Sequence, residues 1–188
     1  MIRSMVPLIA MAFVASVPAL SAEVVPVRHF DSVELRGGGN VSVVPGPVQR
    51  ITILEGSSEY THIYVEQRGN LKIDTCNRDC PLQYRLRVEV QSPRVPVLAV
   101  TGGGAMNVAG GFRGEHDLTV AVSGGGHIDT RAVNADVVTA AVNGGGEMFV
   151  RAASVLTGAV SGGGTIRYWG DPQVTSAIDG GGSIRPGH

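Results

Sequence analysis

The sequence predicts an all-β chain folded as a single right-handed parallel β-helix, a solenoid with coils of about 18–22 residues and triple-glycine corners. Three observations carry this expectation. Of the 27 glycines, eighteen lie in six Gly-Gly-Gly triplets that begin at Gly37, Gly102, Gly124, Gly144, Gly162 and Gly180. The last five triplets stand 22, 20, 18 and 18 residues apart, a spacing that marks stacked repeats. Apolar and polar residues alternate through each repeat, and no stretch offers an apolar stripe of helical period and length.

Residues 1–22 read as a secretory signal peptide. A basic start at Arg3 is followed by an apolar run from Met5 to Val17, then by small residues ending at Ala22. The run is shorter than the roughly 20 residues a membrane span needs, and Pro7 and Pro18 interrupt it. The mature chain then begins at Glu23 or one residue earlier, with no membrane span, and works outside the cytoplasm in the periplasm or at the cell surface.

Residues 23–96 read as the N-terminal coils and cap of the same domain. The stretch from Val33 through the first triplet to Val43 repeats the later unit once, and alternating strands start near Ile51, Ile63, Leu71 and Leu86. Terminal repeats of a solenoid are commonly irregular because they cap it. Cys76 and Cys80 lie in this part. An oxidising compartment favours a disulfide between them over free thiols or a metal site, provided the chain turns, because bridged Cα atoms lie within about 7 Å.

Residues 97–188 hold the regular coils. The segments entering the triplets are Val97-Leu-Ala-Val-Thr-Gly, Thr119-Val-Ala-Val-Ser-Gly, Thr139-Ala-Ala-Val-Asn-Gly, Thr157-Gly-Ala-Val-Ser-Gly and Thr175-Ser-Ala-Ile-Asp-Gly. Strand parity sends Val100, Val122, Val142, Val160 and Ile178 to one side, with Met106, Ile128, Met148, Ile166 and Ile184 beyond the glycines. That side is the predicted core, and glycine at the corners allows backbone approaches that a Cβ would forbid.

Phe30-Asp-Ser-Val-Glu-Leu-Arg-Gly, Gly69-Asn-Leu-Lys-Ile, Val88-Glu-Val-Gln-Ser-Pro and the recurring Val-Ser-Gly-Gly-Gly unit occur in that order. This series resembles the head GIN domain family, labelled an auto-transporter adhesin head, over nearly all of the mature chain. The resemblance implies an extracytoplasmic bacterial β-helix.

Two outward surfaces are candidates for function. Ala99, Ala121, Ala141, Ala159 and Ala177 form an uninterrupted alanine column, a candidate packing face for another subunit or a flat partner. After the glycines, Arg131, Phe149, Arg151, Arg167, Trp169 and Arg185 gather as a candidate ligand surface, with Asp129 in the same column as Phe149. Guanidinium forks hold carboxylate or sulfate, and an indole stacks on a sugar face or a cation, so this chemistry suits an acidic glycan.

Other classes fit poorly. Fifteen basic residues against sixteen acidic ones give no bulk field for nucleic acid. His127 and Glu147 share an outward column, but two ligands make a weak metal site, and no cofactor is expected. The Asp of calcium-binding glycine-rich repeats is missing after the triplets, as are a Gly-x-Ser-x-Gly elbow and a phosphate loop. Asp129, Glu147 and Asp179 fall in different columns, so no carboxylate pair for sugar cleavage stands out.

The sequence thus points to a non-enzymatic, adhesin-like binding module of the bacterial cell envelope, its partner an envelope polysaccharide or a surface protein. A self-assembling structural β-helix protein, a homo-oligomer joined through its coil ends or alanine column, is the alternative. The chain reaches His188 six residues after the last triplet, which leaves little to cap the final coil. A polysaccharide-acting enzyme stands behind both.

Overall fold

A computed structural model describes residues 22–76 and 79–187. The leader expected over 1–22 lies outside the described residues apart from Ala22. The strands in chain order are β1 (Glu23–Val25), β2 (Ser32–Gly37), β3 (Asn40–Pro45), β4 (Arg50–Glu55), β5 (His62–Val65), β6 (Asn70–Asp74), β7 (Arg87–Ser92) and β8 (Val97–Gly102). They continue with β9 (Ala105–Val108), β10 (Glu115–Gly124), β11 (His127–Asp129), β12 (Ala135–Gly144), β13 (Glu147–Ser161), β14 (Thr165–Trp169), β15 (Gln173–Asp179) and β16 (Ser183–Pro186). Among the described residues no helix is long and apolar enough to cross a membrane.

The expected single right-handed parallel β-helix is not the fold. All sixteen strands belong to one mixed sheet that curls back on itself into a nearly closed barrel. Its path runs β1-β4-β7-β3-β9-β11-β13-β12-β10-β8-β2-β6-β5, with β14 and β15 attached to β13 and β16 to β14. Parallel pairing holds through the triplet repeats, but β1 with β4, β4 with β7, and β5 with β6 are antiparallel. The fifteen-residue β13 joins two series of strands: Glu147–Arg151 pairs with β11 and β14, while its later residues pair with β12 and β15. Two-residue alternation carries no information about strand direction, so the less regular region 23–96 concealed its antiparallel members.

The core lies on the inward face of both series. Val100, Val122, Val142, Val160 and Ile178 are aligned by strand register, and so are Met106, Ile128, Met148, Ile166 and Ile184. Most of these are fully buried, whereas Ile178 in the outermost coil is 48% exposed. At about 25 cal/mol per Å² of apolar surface, each buried Val, Ile or Met side chain contributes about 1.5–3 kcal/mol.

The triplets turn the chain between the two series, and their three positions are not equivalent. Gly124 has φ +110°, and a Cβ there would lie 2.8 Å from the Gly102 carbonyl oxygen. At Gly126 a Cβ would lie 2.5 Å from Val100 Cγ1 and 2.8 Å from the Gly104 oxygen. The missing side chain leaves room for the valine of the preceding coil. Gly125, between them, faces open space.

Candidate functional site

The outward residues of β9, β11, β13, β14 and β16 stand in rows set by parallel register. One row runs Asn107, Asp129, Phe149, Arg167 and Arg185, and Arg151 lies opposite Trp169. Adjacent members are about 4.8 Å apart, within reach of long side chains. Arg131 follows β11 in a turn where the Val133 N–H donates to the Thr130 carbonyl at 2.9 Å, so side-chain contacts rather than strand pairing set its position.

Those contacts centre on Asp129. Arg131 Nε donates to Asp129 Oδ1 at 3.0 Å and to Oδ2 at 3.1 Å, and its Nη2 donates to Oδ2 at 2.6 Å. Oδ1 also accepts the Arg131 backbone N–H at 3.0 Å, an aspartate turn that holds the loop close to the strand. The Arg131 guanidinium lies 5.0 Å from the ring centroids of both Phe149 and Trp169. These rings meet edge to face with centroids 5.8 Å apart. Arg167 approaches Phe149 at 5.8 Å, and the His127 ring packs edge-on against the same phenyl at 4.8 Å. Arg151 Nε donates to the Arg131 carbonyl at 3.0 Å.

A cleft of about 410 Å³ opens between Asn107, Asp129, Arg131, Arg151 and Trp169. Burial disfavours the charged form of Asp129, yet the Arg131 hydrogen bonds and charge, with a smaller contribution from His127, hold its carboxyl below the usual range. The Asp129 hydrogen bond in turn keeps Arg131 more firmly protonated. Among the described residues Arg151, Arg167 and Arg185 make no ion pair, and Arg167 Nε is buried without a hydrogen-bond acceptor.

The structure therefore brings together Arg131, Phe149, Arg151, Arg167 and Trp169. Arg185 extends the row by one strand without joining the stacked group. The sequence reading places Asp129 in this outward column but misses its role, and it misses Gly187 altogether. Asp129 is the bidentate partner of Arg131, a pairing hinted at by the Asp-Thr-Arg spacing across a turn. Gly187 packs its backbone against the benzo edge of Trp169, leaving no room for a Cβ, and no sequence signal announced it. His127 and Glu147 face each other across β11 and β13, but among the described residues no cluster of three metal-ligating side chains forms.

The alanine column lies on the other series, in register from Ala99 through Ala121, Ala141 and Ala159 to Ala177. It floors a groove of about 510 Å³ walled on one side by Thr101, Ser123, Asn143, Ser161 and Asp179. Only Asp179 brings charge to it. Cys76 and Cys80 are disulfide-bonded with Cα atoms 6.0 Å apart, so the chain turns between them.

The fold is an all-β, nearly closed barrel whose long side chains stand outward on the strand faces. Within that class, the chain belongs to the head GIN domain family: the family model described as "Putative auto-transporter adhesin, head GIN domain" matches residues 29–117 and 114–172. No curated protein matches it. A solved structure described as a "putative adhesin" from Bacteroides fragilis NCTC 9343 is 15% identical, with a TM-score of 0.54 over 88% of this chain and 96% of its own. At that identity the likeness speaks for the fold alone. A "putative adhesin" from Parabacteroides distasonis ATCC 8503 is 16% identical, with a TM-score of 0.42 and coverages of 88% and 96%. Another from Parabacteroides merdae ATCC 43184 is 15% identical, with a TM-score of 0.39 and coverages of 91% and 97%.

Proposed function

We propose that this chain is a non-enzymatic, extracytoplasmic binding module of a bacterial cell envelope, and that its arginine–aromatic face takes acidic glycans. The observation that carries this reading is the set of cations without ion pairs among the described residues, Arg151, Arg167 and Arg185, beside the Phe149–Trp169 ring pair. The adhesin description of the family, the leader-like segment 1–22 and a disulfide suited to an oxidising compartment all support it.

The test is a binding titration with acidic and neutral polysaccharides at rising salt. Binding of the acidic polymer should weaken with salt and be lost in Arg151→Ala and Trp169→Ala, with thermal melts confirming that both variants fold. Salt-independent binding untouched by either substitution refutes the assignment.

Self-assembly is the second reading, favoured by one feature of the last two strands. β15 and β16 each pair along one edge, and inward-parity Val174 and Ile178 are 36% and 48% exposed. Light scattering behind size exclusion separates the readings. A concentration-dependent oligomer abolished by Ile178→Glu supports assembly through this end, and Ala141→Glu asks the same of the alanine groove. A concentration-independent monomer refutes it.

A further inference from the structure

We propose that the cleft takes a carboxylate-bearing sugar unit whose carboxylate replaces Asp129 as the partner of Arg131, which makes Asp129 an internal competitor and Arg131 a lid over the aromatic pair. This inference rests on the acidic-glycan reading and names its ligand class and its gate.

The geometry sets out the exchange. Arg131 lies over both rings that a sugar would stack on, at 5.0 Å from each centroid. Gly187 holds the benzo edge of Trp169 and is tied to the strand by its N–H to the Tyr168 carbonyl at 2.8 Å. Of the groups packed against the indole, which include Phe149 edge-on, Arg131 is the one able to move, since its side chain is 46% exposed and ends in a surface guanidinium. Its fork is already matched to a planar carboxylate through two nitrogens, and a sugar carboxylate reproduces that match. After the exchange Asp129 keeps the Arg131 backbone N–H as a donor, and Arg151, which lines the cleft and holds only the Arg131 carbonyl through its Nε, has its remaining guanidinium nitrogens for the incoming anion. A closed lid lowers apparent affinity by the fraction of molecules in which it is open.

Trp169 is the only tryptophan in the chain, so its fluorescence reads the lid with no ligand present. Asp129→Asn keeps the turn acceptor and removes the charge. It should raise acrylamide quenching of Trp169 about twofold, as should Arg131→Ala. Unchanged quenching in Asp129→Asn overturns the lid, whatever the ligand proves to be.

The ligand arm titrates polygalacturonate, dextran sulfate and neutral dextran. Asp129→Asn should bind polygalacturonate about tenfold more tightly than the unaltered protein, with a smaller gain for dextran sulfate and none for dextran. Adding Arg131→Ala should cancel the gain. Glu147→Gln removes an equal charge from the same face without holding an arginine. A gain there equal to that of Asp129→Asn reduces the effect to bulk charge and overturns the exchange, as does polygalacturonate binding that Asp129→Asn fails to tighten. If neither polyanion binds either protein, the acidic-glycan reading itself falls and the exchange falls with it.

Discussion

Single alanine substitutions across one triplet, Gly124, Gly125 and Gly126, should separate sharply in stability. Gly124 sits at φ +110°, where an L residue is strained, and its new Cβ would lie 2.8 Å from the Gly102 carbonyl oxygen. Left-handed strain costs about 1–2 kcal/mol, and a contact with backbone cannot be relieved by turning a side chain, so Gly124→Ala should cost about 3 kcal/mol. At Gly126 the new methyl meets Val100 Cγ1 at 2.5 Å and the Gly104 oxygen at 2.8 Å. Val100 is buried, so this is overpacking, at a cost of about 1–3 kcal/mol. Gly125 has nothing within 4 Å of the added methyl and no positive φ. Its substitution should fall between no change and about 1 kcal/mol of stabilisation, through the lower entropy of the unfolded chain.

Urea unfolding followed by far-UV circular dichroism measures all three variants. In thermal melts, at about 2–4 °C per kcal/mol for a domain of this size, Gly124→Ala should melt roughly 6–12 °C below the unaltered protein. Gly125→Ala should melt at or slightly above it. A Gly125→Ala variant destabilised as much as its neighbours would refute the reasoning, because the central glycine would then meet a constraint that the backbone geometry does not contain.

Three further expectations follow from the same contacts. Because the folded-state carboxyl of Asp129 titrates lower than in the unfolded chain, its contribution to stability is full above the usual carboxylate range and is lost as pH falls through the lower folded value. The melting difference between the unaltered protein and Asp129→Asn should therefore shrink on acidification, and a difference constant down to strongly acid pH contradicts it. Replacing Cys76 and Cys80 together by serine should cost about 2 kcal/mol from the loss of a short closed loop, with chemical reduction of the unaltered protein giving a matching shift in urea midpoint. Ile128→Ala empties a fully buried core position and should cost about 2–5 kcal/mol, whereas Asn107→Ala on the exposed row should stay within about 0.5 kcal/mol by the same unfolding measurement.

How much of this was legible before the structure depended on the kind of pattern. The register of the repeated strands was readable because parity and the glycine spacing together assign each residue to a strand position and a side. Val122 lies between Val100 and Val142 in the register for that reason. Topology was not readable. Ile51 and Ile63 alternate with polar neighbours as regularly as Val120 does, yet β4 and β5 pair antiparallel and β10 pairs parallel. The route by which β13 bends to join both series also leaves no mark on alternation, so the sheet's closure toward a barrel appears only in the pairing itself. Arg131 illustrates the same limit at the site. It lies beyond the end of β11, and its place over Phe149 and Trp169 comes from the grip of Asp129.

The repeats also indicate where a ligand has room to act on the sequence. Levels that share one packing environment call for similar residues, which accounts for the Val, Ile and Met of the two inward rows and for glycine at the first and third corner positions. The alanine row is uniform in the same way from Ala99 to Ala177. The row from Asn107 to Arg185 behaves differently, passing through an amide, a carboxylate, a phenyl ring and two guanidinium groups on strands whose backbones repeat. Packing that is the same at every level cannot require a different side chain at each. Outward positions carry little packing constraint, so variation is what they permit, and one level can hold a partner of its own, as the Asp129–Arg131 pair does. Among the described residues Arg151, Arg167 and Arg185 have no internal counterpart of that kind, and they border the cleft or continue its row. If the proposed acidic-glycan site is the one this row forms, substitutions of its unpaired arginines should alter binding while leaving the barrel's stability nearly unchanged, whereas Asp129 also carries the stability assigned to its pair with Arg131.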